Sequence, residues 1–147
     1  MTPLVLRPRR LLVVCRAAGV TLLVVFGVVA YLLPRGSAGG QQFGLGDQIA
    51  FFLIGALLSW AVLQFTRVRV IADERGLRVR NYAGEKHVPW QVVAGVRLDD
   101  GSPWASLDLH DDDTIALLAV QANDGDRAVA AVLALRQLLA ASRSLEG

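Results

Sequence analysis

The sequence has little of the chemistry on which most catalytic and metal-binding sites depend. It contains one cysteine, Cys15, and two histidines among 147 residues. A single cysteine cannot form an internal disulfide or a multi-cysteine metal site. A net charge of only +2 is too small for a chain that binds nucleic acid through its overall charge. We therefore expect no cofactor, no metal and no nucleic-acid partner.

Charge is also scarce in two long stretches in the first half of the chain. Residues 49–66 contain no charged side chain, and as a helix they would extend about 27 Å, close to the ~30 Å hydrocarbon core of a bilayer. Residues 11–33 are apolar apart from Arg16, which can reach the headgroups, and the mild Thr21. The pattern predicts two transmembrane helices, residues 11–33 and 48–66.

Short polar segments flank the two predicted helices. Residues 1–10 form a basic leader, and the glycine-rich residues 34–47 form an extracytoplasmic loop with one arginine, Arg35. Arginines instead crowd the two outer ends of the hairpin: Arg7, Arg9, Arg10, Arg16, Arg67, Arg69 and Arg75. The positive-inside rule then predicts a cell-membrane protein with two spans and both termini in the cytoplasm.

A cleaved signal peptide is an alternative interpretation of the first apolar stretch. The small residues at 36–38 after a basic start resemble a signal-peptide cleavage site, although the stretch is longer than the usual 7–15 residues.

Small residues also recur at helical spacing, as Ala17 with Thr21 and Gly55 with Ser59, which favours close helix packing. That packing would join the two helices to each other or two copies of the chain.

The period of the sequence changes at Arg67, where alternating apolar and polar residues replace the continuous apolar run. The pattern predicts strands at residues 68–72, 77–82, 86–88, 95–98, 104–109 and 114–120. An amphipathic helix should begin at Asn123 or Asp124 and run to about Ala141. Its apolar stripe consists of Ala128, Val132, Leu135 and Leu139. Residues 67–147 are thus predicted to form an α+β soluble domain, a small β-barrel or bent sandwich closed by a helix.

Several short motifs in this domain resemble one protein family. Val88, Pro89 and Trp90 lead into the segment 92–97, and residues 100–105 and 118–121 add further similarity. The pattern resembles actinobacterial membrane proteins with a PH-like (bacterial pleckstrin-homology) domain, of the low-molecular-weight protein antigen type. The resemblance implies a PH-like bent antiparallel β-barrel or sandwich, capped by a C-terminal helix and preceded by two spans.

A PH-like domain has seven strands, one more than the pattern contains. We expect the seventh strand within residues 92–98 or at the membrane junction. The first hairpin should carry arginines on its outward face, and these are the candidate contacts for lipid headgroups: Arg67, Arg69, Arg78 and Arg80. They partly match the basic pattern beside the first hairpin of eukaryotic PH domains that bind lipid, although the turn at residues 73–76 is half acidic.

No residue set predicts catalysis. His87 is expected to be exposed on a strand, and residues 110–113, His-Asp-Asp-Asp, form a turn without the spaced second ligand set of a metal site. Neither Ser102 nor Ser106 has the context of a catalytic nucleophile. We accordingly predict no catalytic, cofactor-binding or metal-binding residue, and we do not expect an enzyme.

The sequence therefore predicts a membrane-anchored, non-enzymatic PH-like interaction module. Its docking surface, an exposed strand edge or the groove beside the helix, would face an unknown membrane or cytoplasmic protein at the cytoplasmic side. The alternative is an anionic-lipid-sensing domain that uses the basic first hairpin, with phospholipid headgroups as partners. Both hypotheses include the lipid bilayer itself as a partner.

Overall fold

The computed structural model describes residues 2–33 and 43–147, which form two compact units. The helical unit contains Leu11–Thr66. The second unit combines the residues up to Arg10 with Arg67–Gly147, and it holds all strands in the described part of the chain. We call the second unit the β-unit.

Two long apolar helices form the helical unit, and small residues pack them together. Helix α1 extends over Arg9–Leu32 and α2 over Leu45–Gln64. The buried Ser59 Oγ donates a hydrogen bond of 2.8 Å to the carbonyl of Gly19. A Cβ atom at Gly55 would lie 2.2 Å from Cβ of Phe26, so only glycine permits this approach. Pairing of the two helices through Gly55 and Ser59 is thereby confirmed. On α1 the prediction was wrong, because Ala17 and Thr21 are exposed and Gly19 and Phe26 make the contacts instead.

Within residues 2–33 and 43–147, three helices, not the two that the sequence predicts, are long and apolar enough to cross a membrane by length and composition. The third is the C-terminal helix, α3, over Asp126–Glu146. Its many alanines raise its mean hydropathy, although it also carries Arg127, Arg136 and Arg143. The helix continues past Ala141, where the sequence pattern predicted its end.

The β-unit has two antiparallel sheets and α3. The four-stranded sheet has the order β1-β2-β3-β4, with strands Leu4–Leu6, Arg69–Asp73, Gly76–Asn81 and Gly84–Pro89. The three-stranded sheet has the order β5-β6-β7, with strands Val93–Arg97, Trp104–Leu109 and Thr114–Gln121. Six of these strands match the predicted ones to within a few residues.

One hydrophobic core joins both sheets to α3. Alternate residues of β2 and β3 point inward, and Val70, Leu77 and Val79 are at most 2% exposed. The predicted stripe of α3 is buried against them, which confirms that the helix closes the domain: Ala128, Val132, Leu135 and Leu139. Each fully buried large side chain contributes roughly 1.5–3 kcal/mol to folding.

The β2–β3 turn and the segment after β4 are held together by Asp73. Its side-chain Oδ1 accepts hydrogen bonds from the backbone N–H groups of Arg75 and Gly76, at 2.9 and 3.1 Å. Its carbonyl accepts a bond of 2.8 Å from Nε1 of Trp90, whose ring is 3% exposed. Gly76 has a φ of 156°, and a Cβ there would lie 2.4 Å from the carbonyl oxygen of Val88. The turn therefore requires glycine.

The seventh strand lies where the sequence did not predict it. It is β1, within the predicted basic leader, and not in residues 92–98 or at the junction. It pairs antiparallel with β2, with Leu4 opposite Ala72 and Leu6 opposite Val70. Leu4 and Leu6 pack on the core, whereas Val5 is 48% exposed. Three residues are too few to show a period of two, and the partner strand is more than 60 residues away.

We predict that Leu6→Asp destabilises the β-unit although Leu6 precedes both apolar helices. A carboxylate at this inward position loses apolar burial and costs roughly 2–3 kcal/mol, which corresponds to a fall of about 10 °C in Tm. Thermal unfolding of the full chain in detergent, followed by tryptophan fluorescence, measures the effect. Val5→Asp is the matched control on the outward side and should cost less than about 0.5 kcal/mol. Equal stability of the two variants would contradict the pairing.

Candidate functional site

The outer face of the first sheet carries the candidate arginines. Strand register places Arg69 directly opposite Arg80, and Ile71 opposite Arg78. Arg78 also forms an ion pair of 3.9 Å with Asp73, with its side chain 52% exposed. Arg67 lies in a 3-10 turn, Phe65–Arg67, before the strand begins. The structure thus brings three of the four predicted arginines onto one face and leaves Arg67 at its end.

Carboxylates reduce the positive charge of this outer face. Glu85 lies opposite Arg80 on β4, and Asp73 is paired with Arg78. His87, opposite Arg78, is exposed as predicted. The pair of Arg69 and Arg80 is nevertheless unfavourable, because like charges directly opposite each other in a sheet repel.

Arg69 has a further unsatisfied feature. Its Nε atom is buried and has no hydrogen-bond partner among the described residues. A buried donor without an acceptor costs roughly 1–3 kcal/mol, more when it is charged.

A second candidate surface is a groove of about 460 Å³ between β5 and α3, which we call the β5–α3 groove. Strand β5 is an edge strand, since it pairs with β6 on one side only. Its other edge faces the arginine side chains of α3. Small and apolar residues form much of the lining, among them Ala94, Gly95, Leu139 and Ala140.

A β-bulge shapes the edge of β5. The register with β6 shifts between Val93 and Gly95, which leaves Ala94 as the extra residue. As a result, the carbonyls of Val93 and Ala94 both accept hydrogen bonds from Nη2 of Arg143, at 3.2 and 2.9 Å. In a regular strand, successive carbonyls point in opposite directions. The bulge therefore turns two neighbouring acceptors toward the same guanidinium group.

Two more arginines line the β5–α3 groove. Nε of Arg136 donates a bond of 2.9 Å to the carbonyl of Val96. Arg97 forms a two-point ion pair with Asp108, with Nε–Oδ2 at 2.7 Å and Nη2–Oδ1 at 3.2 Å. Among the described side chains, no carboxylate forms an ion pair with Arg136 or Arg143. The lining thus carries three guanidinium groups against one carboxylate.

The sequence pattern does not indicate the groove arginines as a group. Arg136 and Arg143 suit the exposed side of α3 on pattern alone, and they lie seven residues apart, which places them on the same helix face. That spacing can be read from the sequence, but the sequence does not show which strand edge this face of α3 contacts.

The acidic turn before β7 has a structural role. Oδ1 of Asp111 accepts a hydrogen bond of 3.3 Å from the backbone N–H of Asp113, and Oδ1 of Asp113 accepts one of 2.9 Å from Thr114. Asp112 has a positive φ of 63°, a conformation that Asp tolerates in turns. Within residues 2–33 and 43–147, no group of three or more His, Cys, Asp or Glu side chains could hold a metal ion.

Comparison with known proteins places these features in a family. The family described as bacterial PH domain matches residues 67–138, the segment from the end of α2 into α3. Uncharacterized proteins of Mycobacterium tuberculosis and Mycobacterium bovis are 43% identical over 126 residues, which cover 86% of this chain and 82% of each relative. Low molecular weight protein antigen 6 of Mycobacterium tuberculosis is 43% identical over 54 residues, 37% of this chain and 47% of that protein.

The chain belongs to the bacterial PH domain family, as an actinobacterial PH-like protein, and the resemblance stated from the sequence is confirmed. No solved structure matches it significantly. The family match begins after β1, so it does not reveal the first strand. A PH-like domain indicates an interaction module, and domains of this class are generally non-enzymatic and commonly bind lipids or proteins.

Proposed function

We propose that this protein is a membrane-anchored, non-enzymatic module that displays a protein-docking surface at the cytoplasmic face of the cell membrane. Helices α1 and α2 cross the bilayer as a hairpin, and the β-unit remains on one side. The length and apolarity of these two helices carry the anchoring, and the pairing of β1 with β2 limits the topology.

This pairing restricts the number of membrane crossings. Strand β1 precedes α1 and β2 follows α2, so the two strands can pair only if both lie on the same side of the membrane. The number of crossings between Leu6 and Arg69 is then even. Because both intervening helices have the length and apolarity of a span, two crossings satisfy the condition.

Helix α3 does not cross the membrane in this proposal. One face of it is buried in the β-unit, with Leu135 fully enclosed. Arg136 and Arg143 donate to backbone carbonyls of β5 from the same helix. A transmembrane α3 would have to remove its apolar stripe from the core and take its arginines into the bilayer, which is expensive.

The pairing also argues against a cleaved signal peptide. Cleavage after the first apolar helix would remove β1 and leave the edge of β2 unpaired. Pro8, between β1 and α1, is buried. The backbone N–H of Arg10 lies 3.5 Å from Oδ1 of Asp124. These contacts favour a mature chain that keeps its N-terminal strand.

Arginine placement supports the cytoplasmic orientation. A phosphatase reporter fused after Gly147 should be inactive, because the enzyme matures only when exported. The same reporter fused after residue 40, behind the first span, should be active. Activity at Gly147 would contradict the orientation, and inactivity at both positions would contradict the hairpin.

The β5–α3 groove is the surface that we assign to protein docking. An edge strand has backbone groups available for pairing, and peptides commonly add to such edges. Arg136 and Arg143 provide specific polar contacts beside small and apolar residues. A mixed lining of this kind suits a protein segment better than a fluid lipid surface.

Lipid sensing through the outer face of the first sheet is the second candidate function. The opposed pair of Arg69 and Arg80 and the buried Nε of Arg69 favour an anionic ligand there. Each basic residue near an anionic membrane surface contributes about 1 kcal/mol. The carboxylates of Asp73 and Glu85 oppose this attraction.

One photo-crosslinking experiment in cells separates the two functions. A photoreactive amino acid replaces Ala140 in the β5–α3 groove in one variant, and His87 on the outer face of the first sheet in another. We expect a protein adduct at position 140. A lipid adduct at position 87 that disappears with Arg69→Gln and Arg80→Gln would favour lipid sensing. Absence of any protein adduct at position 140 would contradict docking at the groove.

A further inference from the structure

We propose that the β5–α3 groove receives an extended acidic peptide segment that pairs with the edge of β5. This inference rests on the proposed docking function and names the chemistry of its partner. The segment displaces Arg136 and Arg143 from the backbone of β5 and binds their guanidinium groups through its own carboxylates.

The carbonyls of β5 with which such a segment would pair already accept hydrogen bonds in the free protein. Three of its carbonyls, those of Val93, Ala94 and Val96, accept bonds from α3 side chains at 2.9–3.2 Å. A peptide strand would supply backbone N–H donors to the alternate carbonyls of Ala94 and Val96. Side-chain donors thus occupy the edge in the free protein, which also protects it from unspecific strand pairing.

The exchange favours an acidic partner. When a peptide N–H replaces a guanidinium on a carbonyl, the released guanidinium needs an acceptor. A carboxylate forms a stronger, charge-assisted hydrogen bond than a neutral carbonyl does. A neutral peptide would leave Arg136 and Arg143 without that compensation, and a basic peptide would be repelled. Arg97 is paired with Asp108, and no described carboxylate pairs with Arg136 or Arg143, so these two arginines carry the charge that no described side chain of the groove balances.

The groove has room for a strand. A Cβ atom built on Gly95 would meet no other atom within 4 Å, and Ala94 and Ala140 are exposed small residues. The five residues of β5 extend about 17 Å, enough to pair with a short peptide. Ala94 and Ala140 offer the apolar contact beside the charged groups, whereas Leu139 in the same lining is only 5% exposed.

The test uses the full chain in phosphatidylcholine nanodiscs and a fluorescein-labelled peptide with four Val-Glu repeats. Fluorescence anisotropy measures its Kd. The same peptide with glutamine in place of glutamate is the control, and we expect it to bind at least tenfold more weakly. Arg136→Gln and Arg143→Gln should each weaken binding of the acidic peptide about tenfold. Arg127→Gln is the matched variant, because it removes the same charge from α3 outside the groove lining.

A second variant keeps the test decisive if the arginine substitutions unfold the domain. Gly95→Glu places a carboxylate in the open space of the groove, where it should compete with the peptide and abolish binding. Its Tm should remain near that of the unmodified chain. In the bound state, backbone amide NMR signals of Ala94 and Gly95 should shift, since these residues lie at the pairing edge.

The proposal would be overturned by equal Kd values for the glutamate and glutamine peptides, by a loss of binding in Arg127→Gln as large as that in Arg143→Gln, or by full binding of a folded Gly95→Glu. Loss of binding only with Arg69→Gln or Arg80→Gln would place the acidic ligand on the first sheet and also overturn it. A protein crosslinked at position 140 despite such a result would preserve the docking function and remove only the acidic partner.

Discussion

The structure of the β-unit depends on one short pairing, that of β1 with β2. Three residues from the start of the chain complete a sheet whose other strands follow both apolar helices. After both helices, the chain therefore has to come back to the N-terminal segment at Arg69 before the sheet is complete. This constraint makes the two apolar helices an insertion within one domain, and the membrane topology that we propose must be compatible with it.

The two candidate surfaces differ in how their arginines are satisfied. In the β5–α3 groove, Arg136 and Arg143 donate to carbonyls that a β-bulge turns toward them. On the first sheet, Arg69 faces Arg80 across the strands, with a buried Nε that lacks a partner among the described residues. The first arrangement is stable without a ligand and can be exchanged for one. The second stores a local cost that an anion would remove.

Much of this fold follows from periodicity. Alternation after Arg67 predicts six of the strands, and the stripe from Ala128 to Leu139 predicts the helix that covers them, because burial selects apolar residues at regular spacing. Strand β1 could not be found this way, since three residues carry no period and their partner is distant in sequence. Likewise, the sequence spacing shows that Arg136 and Arg143 share one helix face, but the contact of this face with β5 depends on tertiary packing.

The pairing across the hairpin can be tested directly by a disulfide. Val5 and Ile71 are register partners on the outward face, and opposed residues in antiparallel strands lie about 4.5–5.5 Å apart at Cα, within the range of a disulfide. With Cys15 replaced by serine, the double variant Val5→Cys and Ile71→Cys should form an intramolecular disulfide when isolated membranes are oxidised. A Val5→Cys and Tyr82→Cys pair, which are not register partners, should not. Failure of the first pair to crosslink would contradict the shared sheet and the even number of spans inferred from it.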